Sequence, residues 1–207
     1  MVAIIDYKAG NLTSVQLALE FIGLPCEITS EPERISAAER VIFPGVGAAG
    51  EAMRNLRGLK LIGPLQAVVS RGVPFLGICL GTQVIFDFSE EDGGVQCMGF
   101  VPGKAKRFAA PDPTCKIPHI GWNTVDFKAG HPLFAGIEDG SEFYFVHSYY
   151  PAPIDSAHMM GETEYAGVRF ASAVGKGNLF AVQFHPERSG RIGLRLLENF
   201  CRWDGTC

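Results

Sequence analysis

Residues 75–83 read Phe-Leu-Gly-Ile-Cys-Leu-Gly-Thr-Gln and place one cysteine, Cys79, between two glycines at the end of an apolar run. The apolar run predicts a buried strand, and Gly77 and Gly81 leave room for a sharp turn into a helix. This geometry is a nucleophile elbow, which lifts the side chain at its apex away from the sheet. The following helix would point its free N–H groups at the thiol and favour the thiolate. The stretch therefore predicts an α/β sheet that carries a nucleophile.

The rest of the chain extends this pattern. In the first half, apolar runs alternate with amphipathic stretches, which is typical of parallel strands covered by helices on both faces. Beyond residue 95, short β-like runs separated by Gly, Pro and Asp predict an antiparallel extension and then a final helix. The predicted strands are residues 2–6, 41–43, 74–78, 101–108, 142–150, 165–173 and 179–184, and the predicted helices are residues 12–22, 59–70 and 192–201. We expect one domain over residues 1–207, with a mostly parallel sheet flanked by helices.

Composition narrows the class of protein. The chain has 207 residues, of which 47% are hydrophobic, so it can bury a substantial core. Its net charge of -4 argues against a nucleic-acid-binding face. No apolar stretch approaches the ~20 residues that cross a bilayer, and the amino terminus lacks the features of a secretory signal. We therefore expect a soluble cytoplasmic protein with no membrane or nucleic-acid partner.

A base for the cysteine follows much later, in residues 181–187, Ala-Val-Gln-Phe-His-Pro-Glu. Pro186 disfavours helix at His185, so His185 and Glu187 are expected on one side of an extended segment. Glu187 would accept a hydrogen bond from one ring nitrogen and leave the other nitrogen to face Cys79. A cysteine in an apolar strand or a lone histidine is more often structural. Their combination here predicts a Cys-His-Glu catalytic triad.

These two segments resemble the class I glutamine amidotransferases, which hydrolyse glutamine at a Cys-His-Glu triad and pass ammonia to a synthase. Four further segments resemble the branch of this family that serves histidine biosynthesis. They are residues 6–11 (Asp-Tyr-Lys-Ala-Gly-Asn), 44–47 (Pro-Gly-Val-Gly), 118–123 (Pro-His-Ile-Gly-Trp-Asn) and 143–150 (Phe-Tyr-Phe-Val-His-Ser-Tyr-Tyr). The resemblance covers the whole chain and implies a flavodoxin-like fold. One departure is Thr82, which stands where many relatives have Met.

Residues that hold glutamine are predicted around the elbow. The predicted oxyanion and substrate-binding residues are Gly47, Leu80, Gln83, Glu91, Ser148 and Tyr149. The N–H of Leu80, directly after the nucleophile, is an expected oxyanion donor. Gln83 lies four residues after Cys79, on the same helix face. The roles of Gly47, Ser148, Tyr149 and Glu91 come from the resemblance. The alternatives are that Gln83 is a capping residue, that Ser148 and Tyr149 only end a strand, and that Glu91 is a solvated acid.

The resemblance implies a protein partner and no cofactor or metal. Ammonia released into water is mostly protonated and useless as a nucleophile, so it would pass to a docked cyclase subunit, a (β/α)₈ barrel, in a heterodimer. The predicted interface residues are Pro118, Ile120, Trp122, Asn123, Tyr144 and Arg188. Residues 118–123 are expected as an exposed loop with aromatic and aliphatic anchors, a buried core strand being the alternative.

Two other classes of function stay open. One is the glutaminase subunit of a different amidotransferase or a stand-alone thiol hydrolase. The other is a non-enzymatic redox or binding protein that uses the elbow cysteine as a sensor. The six cysteines include no Cys-x-x-Cys pair, so a disulfide framework is not expected, although Cys201 and Cys207 could pair on oxidation.

Overall fold

The structure is a computed structural model that describes residues 1–109 and 115–206. The strands are β1 (Val2–Ile5), β2 (Cys26–Thr29), β3 (Arg40–Phe43), β4 (Phe75–Ile78), β5 (Phe86–Ser89), β6 (Val95–Gln96), β7 (Val101–Arg107), β8 (His119–Phe127), β9 (Ser141–His147), β10 (Tyr149–Pro153), β11 (Met159–Tyr165), β12 (Val168–Lys176) and β13 (Leu179–Val182). The α-helices are α1 (Leu12–Phe21), α2 (Pro32–Ala37), α3 (Ala49–Gly58), α4 (Ile62–Ser70), α5 (Leu80–Val84) and α6 (Gly190–Arg202).

The described strands form two sheets. The larger sheet has the order β2-β1-β3-β4-β13-β12-β11-β8-β9, and the smaller has the order β10-β7-β5-β6. From β2 to β13 every pairing is parallel, whereas the pairings from β13 to β9 are antiparallel. The parallel part has the strand order of flavodoxin-like folds. The predicted α/β fold with an antiparallel extension is confirmed.

The large sheet buries both of its faces. Along β1, Val2 and Ile4 pack into the core on one side, and Ala3 and Ile5 pack into the core on the other. This alternation follows from the two-residue period of a strand. Helices α1 and α6 cover the first face, and α3 and α4 cover the second. Buried on both faces, the parallel strands need apolar residues at every position, which is why they appear as continuous apolar runs in the sequence.

Several predicted boundaries were wrong. The helix predicted over residues 59–70 begins at Ile62, and Pro64 lies in its first turn, where a missing N–H removes no helical bond. The strand predicted over residues 142–150 breaks at Ser148, where the chain leaves the large sheet for the small one. The strand predicted over residues 165–173 contains the turn between β11 and β12. The elements that were not predicted include β2, β5, β6, β8, α2 and α3, and only Tyr165 of β11 fell within a predicted strand.

The carboxyl ends of β1, β3, β4 and β13 meet at one edge of the large sheet, because these strands are parallel neighbours. The elbow follows β4, and residues 44–47 follow β3. Residues 6–11 follow β1, and residues 183–187 follow β13. In open parallel sheets this edge is where ligands bind. The topology thus brings the segments singled out in the sequence to one place.

Candidate active site

Cys79 occupies a strained elbow between β4 and α5. Its backbone angles are φ 53° and ψ -107°, in a region that residues other than glycine rarely adopt. The Cys79 N–H donates to the Val182 carbonyl oxygen at 2.9 Å, which fixes the apex against β13. A Cβ at Gly81 would lie 1.9 Å from the Phe43 carbonyl oxygen, so the chain can pass there only as glycine. The elbow geometry expected from the two glycines is present.

The start of α5 differs from the expectation of free N–H groups around the thiol. The helix has only five residues. The Leu80 N–H donates to the Gly45 carbonyl oxygen at 3.2 Å. The N–H groups of Thr82 and Gln83 turn back to the Cys79 carbonyl oxygen at 3.0 and 3.3 Å. The Leu80 donor predicted for the oxyanion is therefore engaged by the protein in this structure.

His185 and Glu187 form a buried pair. The Nδ1 atom of His185 lies 2.7 Å from Glu187 Oε1, and the side chains of the two residues are 1% and 0% exposed. His185 ends an extended segment, but residues Pro186–Arg188 form a short 3₁₀ turn rather than the predicted extended one. The 3₁₀ turn still places the Glu187 carboxylate beside the His185 imidazole. Within the described part of the chain, His185 Nε2 has no hydrogen-bond partner.

Asn11 is a third member of this group, and sequence reasoning gave it no role. Its Nδ2 donates to Glu187 Oε1 at 2.5 Å and lies 3.5 Å from His185 Nδ1. Asn11 has φ 74°, a left-handed conformation that asparagine tolerates better than most residues. The only sequence signal for Asn11 is its place in residues 6–11, whose resemblance to the family does not by itself assign it a role. Asn11 therefore holds the carboxylate that holds the imidazole.

The charges in this group favour an ion pair. Burial alone lowers the pKa of His185, but ionised Cys79 and Glu187 outweigh burial and raise that pKa to about 10. At neutral pH the protonated imidazolium form of His185 is therefore favoured between Cys79 and Glu187. This state suits nucleophilic attack by sulfur followed by proton delivery from nitrogen.

Two glutamine side chains connect the thiol to the neighbouring strand. The Nε2 atom of Gln83 donates to the Tyr149 carbonyl oxygen at 3.0 Å and to Gln183 Oε1 at 3.1 Å. The Nε2 atom of Gln183 then donates to Cys79 Sγ at 3.7 Å. Sequence reasoning missed Gln183, although it lies only two residues before the histidine, on a fully buried strand end. Both hydrogens of the Gln83 amide nitrogen are thus donated to protein acceptors. This nitrogen is not free to donate to a substrate in the cavity.

A cavity of about 280 Å³ opens over the sulfur of Cys79. All six predicted oxyanion and substrate-binding residues line it, together with Cys79, Val46, Pro118, Val146 and His147. Glu91 is not a freely solvated acid. Its Oε2 accepts from the Ala49 N–H at 2.6 Å, and burial raises the pKa of its carboxyl group. The cavity thus offers a nucleophile, backbone polar groups and one carboxylate within a small volume.

Thr82, the departure from the family pattern, is accommodated below the cavity. It is fully buried, and its hydroxyl donates to the Val182 carbonyl oxygen at 2.6 Å. The polar atom is therefore satisfied, and the added bond ties α5 to β13. The substitution leaves the elbow conformation intact.

The predicted interface residues divide into two groups. Residues 119–123 belong to β8, so the expectation of a loop was wrong, but Ile120 and Trp122 are 60% and 54% exposed on the open face of that strand. Trp122 pairs across the sheet with Tyr144 in an edge-on contact of 6.1 Å between ring centroids. The Arg188 guanidinium lies 6.0 Å from the Tyr144 ring. These four residues form one surface, which we call the aromatic face.

Asn123 and Pro118 lie elsewhere. The Asn123 side chain is on the opposite face of β8, where its Nδ2 donates to the Glu164 carbonyl oxygen at 3.0 Å. Pro118 lines the cavity.

Over residues 1–109 and 115–206 the structure holds no cluster of three or more side chains suited to a metal ion, and no helix there has the length and apolarity to span a membrane. Cys201 is a free thiol, and Cys207 lies outside the described residues.

Comparisons with known proteins agree with this geometry. The family model described as glutamine amidotransferase class-I matches residues 3–203. A protein of Moorella thermoacetica named imidazole glycerol phosphate synthase subunit HisH is 51% identical over 199 residues, covering 96% of this chain and 93% of its own. A protein of the same name from Nitrosococcus oceani is 48% identical, covering 99% of this chain and 98% of its own.

Solved structures show the same fold at low sequence identity. One described as a glutamine amidotransferase aligns with a TM-score of 0.76 at 16% identity over the full length of both chains. A chain of PurLQS from Thermotoga maritima aligns with a TM-score of 0.76 at 19% identity over 97% of each chain. With the family model matching almost from end to end, this chain belongs to the class I glutamine amidotransferases.

Proposed function

We propose that this chain is the glutaminase subunit of an imidazole glycerol phosphate synthase, active in the cytoplasm as one domain over residues 1–207. The observation that carries the proposal is the elbow cysteine at the same sheet edge as a buried His185–Glu187 pair. The name of its relatives at 48–51% identity over nearly their whole length supports the branch. A redox sensor needs no oriented base, so the Asn11–Glu187–His185 arrangement favours hydrolysis over sensing.

In the proposed reaction, the Cys79 thiolate attacks the side-chain carbonyl carbon of glutamine and forms a tetrahedral oxyanion. The imidazolium of His185 then gives its Nε2 proton to the leaving nitrogen, so the C–N bond breaks and ammonia departs. A γ-glutamyl thioester remains on Cys79. His185, now neutral, takes a proton from water as the water attacks the thioester. The C–S bond breaks, the thiolate and imidazolium are restored, and the side-chain carboxylic acid leaves and loses its proton to solvent as glutamate.

Ammonia is useful only if it reaches an acceptor before water protonates it. We therefore propose that a cyclase subunit with a (β/α)₈ barrel docks over the aromatic face. Two exposed apolar side chains, Ile120 and Trp122, are suited to bury area there, and aromatic residues often dominate such interfaces. Arg188, whose guanidinium lies against the Tyr144 ring, would pair with an acidic residue of the cyclase.

The engaged Leu80 donor gives the proposed enzyme a resting state. With the Gly45 carbonyl bound to the Leu80 N–H, that donor is not directed at an oxyanion. Gly47, at φ 107°, provides backbone freedom next to this peptide. Docking of the cyclase with its nucleotide would favour the arrangement with donors turned inward, provided the complex binds that state more tightly.

The experiment that tests the function uses the Cys79→Ala protein reconstituted with the cyclase subunit. We expect glutamine hydrolysis to disappear while synthesis from added ammonium salt continues, because only the ammonia source is removed. Glutamine turnover that persists in Cys79→Ala contradicts the nucleophile assignment. Failure of the wild-type chain to support synthesis with any cyclase of the branch contradicts the proposed subunit identity.

A further inference from the structure

Three polar side chains form a connected path from β8 to the cavity. The Nδ2 atom of Asn123 lies 3.4 Å from His119 Nε2. The Nδ1 atom of His119 lies 3.1 Å from His147 Nε2, and His147 Nδ1 lies 2.7 Å from the Tyr149 carbonyl oxygen. His119 and His147 are cross-strand partners on β8 and β9. The path therefore ends on the backbone of a residue that lines the cavity.

The end of the path fixes its direction. A carbonyl oxygen only accepts, so the hydrogen between His147 and Tyr149 is on His147 Nδ1. Burial lowers the pKa of His147 to about 3 and that of His119 to about 4, so both rings are neutral at pH 7 and carry one hydrogen each. His147 Nε2 is then an acceptor, and His119 must donate to it from Nδ1.

Asn123 supplies the hydrogen-bond donor at the other end of the path. Neutral His119 with hydrogen on Nδ1 has a bare Nε2, which accepts from the Asn123 amide. The orientation of that amide is set independently, because its Oδ1 accepts from the Thr124 N–H at 2.8 Å and its Nδ2 also donates to the Glu164 carbonyl oxygen at 3.0 Å. Both ring tautomers are therefore set by the ends of the path, because the Tyr149 carbonyl oxygen can only accept and the Asn123 amide nitrogen can only donate.

Packing holds the two rings in place. His119 is 3% exposed and stacks between Tyr165, at 3.9 Å between centroids and 17° between planes, and Phe145, at 4.9 Å and 21°. His147 is 5% exposed and tilts against Phe170. A ring flip would require the neighbouring rings to separate, so these contacts favour one orientation.

The carbonyl that ends the path belongs to the first residue of β10, directly after the chain changes sheet. Strand β9 ends at His147 and β10 begins at Tyr149, in a different sheet. The backbone there is tied to β7, because the Ser148 carbonyl oxygen accepts from the Phe108 N–H at 3.0 Å and Tyr149 pairs with Arg107. The Tyr149 carbonyl is also held by two side-chain donors, His147 Nδ1 and Gln83 Nε2.

We propose that His147, with its tautomer set by His119 and Asn123, is a positioning residue for glutamine. It holds the Ser148–Tyr149 backbone in the geometry that binds substrate, without touching the reacting atoms. This inference rests on the proposed glutaminase function, because the segment it positions is the predicted substrate-binding one.

The first test measures the tautomers in the wild-type protein. Nitrogen-15 NMR of histidine-labelled protein at pH 7 separates rings with hydrogen on Nδ1 from rings with hydrogen on Nε2, and His119→Asn and His147→Asn variants assign the two signals. We expect hydrogen on Nδ1 in both rings. His131 is the internal contrast, since its Nδ1 accepts from the Leu133 N–H at 3.1 Å and its hydrogen must be on Nε2. Hydrogen on Nε2 of His147, or a protonated ring, overturns the proposal.

The second test compares His147→Gln with His147→Asn in the complex with the cyclase. An asparagine amide can occupy the place of Nδ1 and donate to Tyr149, whereas a glutamine amide reaches the place of Nε2 and leaves the carbonyl without that donor. We expect His147→Gln to raise the KM for glutamine about 10-fold with a smaller change in kcat, and His147→Asn to raise it less. Synthesis from ammonium salt should be unchanged in both.

Two results separate the possible failures. If the complex hydrolyses no glutamine even as wild type, the proposed function fails, while the NMR result still decides whether the path exists. If wild type is active and the two variants have the same KM as each other, His147 fills space only and the positioning role is wrong. Should both variants fail to fold, the tautomers of the wild-type rings still decide the proposal, because they are read without any activity.

Discussion

The backbone N–H of Leu80 donates to the carbonyl oxygen of Gly45 at 3.2 Å, so the turn after β3 occupies the donor next to the nucleophile. In the proposed mechanism, the Cys79–His185–Glu187 triad is thereby combined with an oxyanion site that is one donor short. Because the lost donor is a backbone group, a rotation of one peptide restores it, and no side chain has to be rebuilt. The same contact makes the rate of hydrolysis sensitive to anything that binds near residues 44–47.

Glutamine hydrolysis should therefore depend on the state of the complex. We expect the isolated chain to be slower than the chain with cyclase and nucleotide ligand by about 10²- to 10³-fold, the effect of one oxyanion donor. Turnover is measured for the chain alone, with the cyclase, and with cyclase and ligand. The rate of Cys79 alkylation by iodoacetamide serves as the control for access to the thiol. Equal turnover in the three states contradicts the resting arrangement.

The two partners of the nucleophile should differ in importance. His185→Ala removes the group that moves protons, so kcat for glutamine hydrolysis should fall by about 10³-fold or more. Glu187→Gln keeps an oxygen that can accept from His185 and Asn11 but loses the negative charge, so its loss should be smaller by about tenfold or more. Thermal unfolding midpoints close to that of wild type are the control. Equal losses in the two variants would show that charge, not orientation, is the contribution of Glu187.

The glycine at position 81 should be irreplaceable for steric reasons. A Cβ there would meet the Phe43 carbonyl oxygen at 1.9 Å, and backbone cannot move aside as a flexible side chain can. We expect Gly81→Ala to reduce the free energy of unfolding by about 1–3 kcal/mol and to abolish hydrolysis. Gly63→Ala, in helix α4 with open space around the added carbon, is the matched control and should be stabilising by about 0.5–1 kcal/mol. Chemical denaturation of both variants checks the comparison.

Acid should destabilise the fold through its buried neutral histidines. Burial lowers the pKa of His131 to about 4, well below its unfolded value, so the unfolded chain binds a proton below pH 6.5 that the folded chain does not. The stability contributed by the neutral ring is present above pH 6.5 and is lost as pH falls towards 4. Removing this ring in His131→Phe should reduce the slope of unfolding free energy between pH 6 and 5 by about 1.4 kcal/mol per pH unit. Urea unfolding at several pH values measures the slope, and identical slopes contradict the assignment.

The aromatic face should carry the affinity for the cyclase. Trp122→Ala is expected to weaken the complex by about 2 kcal/mol or more, which is roughly 30-fold in Kd, without changing the fold. Phe21→Ala is the matched control, because Phe21 is 80% exposed but ends α1 at the opposite edge of the sheet. Calorimetric titration with the cyclase compares the two. Equal affinities for both variants would remove this face from the interface.

The sequence predicted the parts of this molecule that depend on local chemistry. The elbow followed from Gly77 and Gly81, and the positions of Leu80 and Gln83 followed from their spacing to Cys79, whereas the other predicted lining residues came from the family resemblance. Helix α3 was not predicted, because Ala49–Gly58 contains two glycines and directly follows a glycine-rich turn, both of which oppose a helix locally. Packing of Met53 and Leu56 into the core outweighs that preference.

Long-range partners were beyond the reach of sequence patterns. Asn11 lies 176 positions before the carboxylate that it binds, and Gln83 lies 100 positions before Gln183. No periodicity connects such residues, since the contacts arise only from the order of strands in the sheet. The change of sheet at Ser148 was missed for the same reason, because the apolar pattern continues across it while the backbone pairing does not.

The position of β13 has a consequence for the order of biosynthesis. This last strand inserts between β4 and β12, so the centre of the sheet cannot close until residue 182 has left the ribosome. A nascent chain that already contains Cys79 has neither the strand that anchors the apex nor the histidine that would move its protons. Chain fragments and incomplete translation products should therefore be unable to release ammonia, and hydrolytic activity is a direct readout of chains whose folding has reached the end.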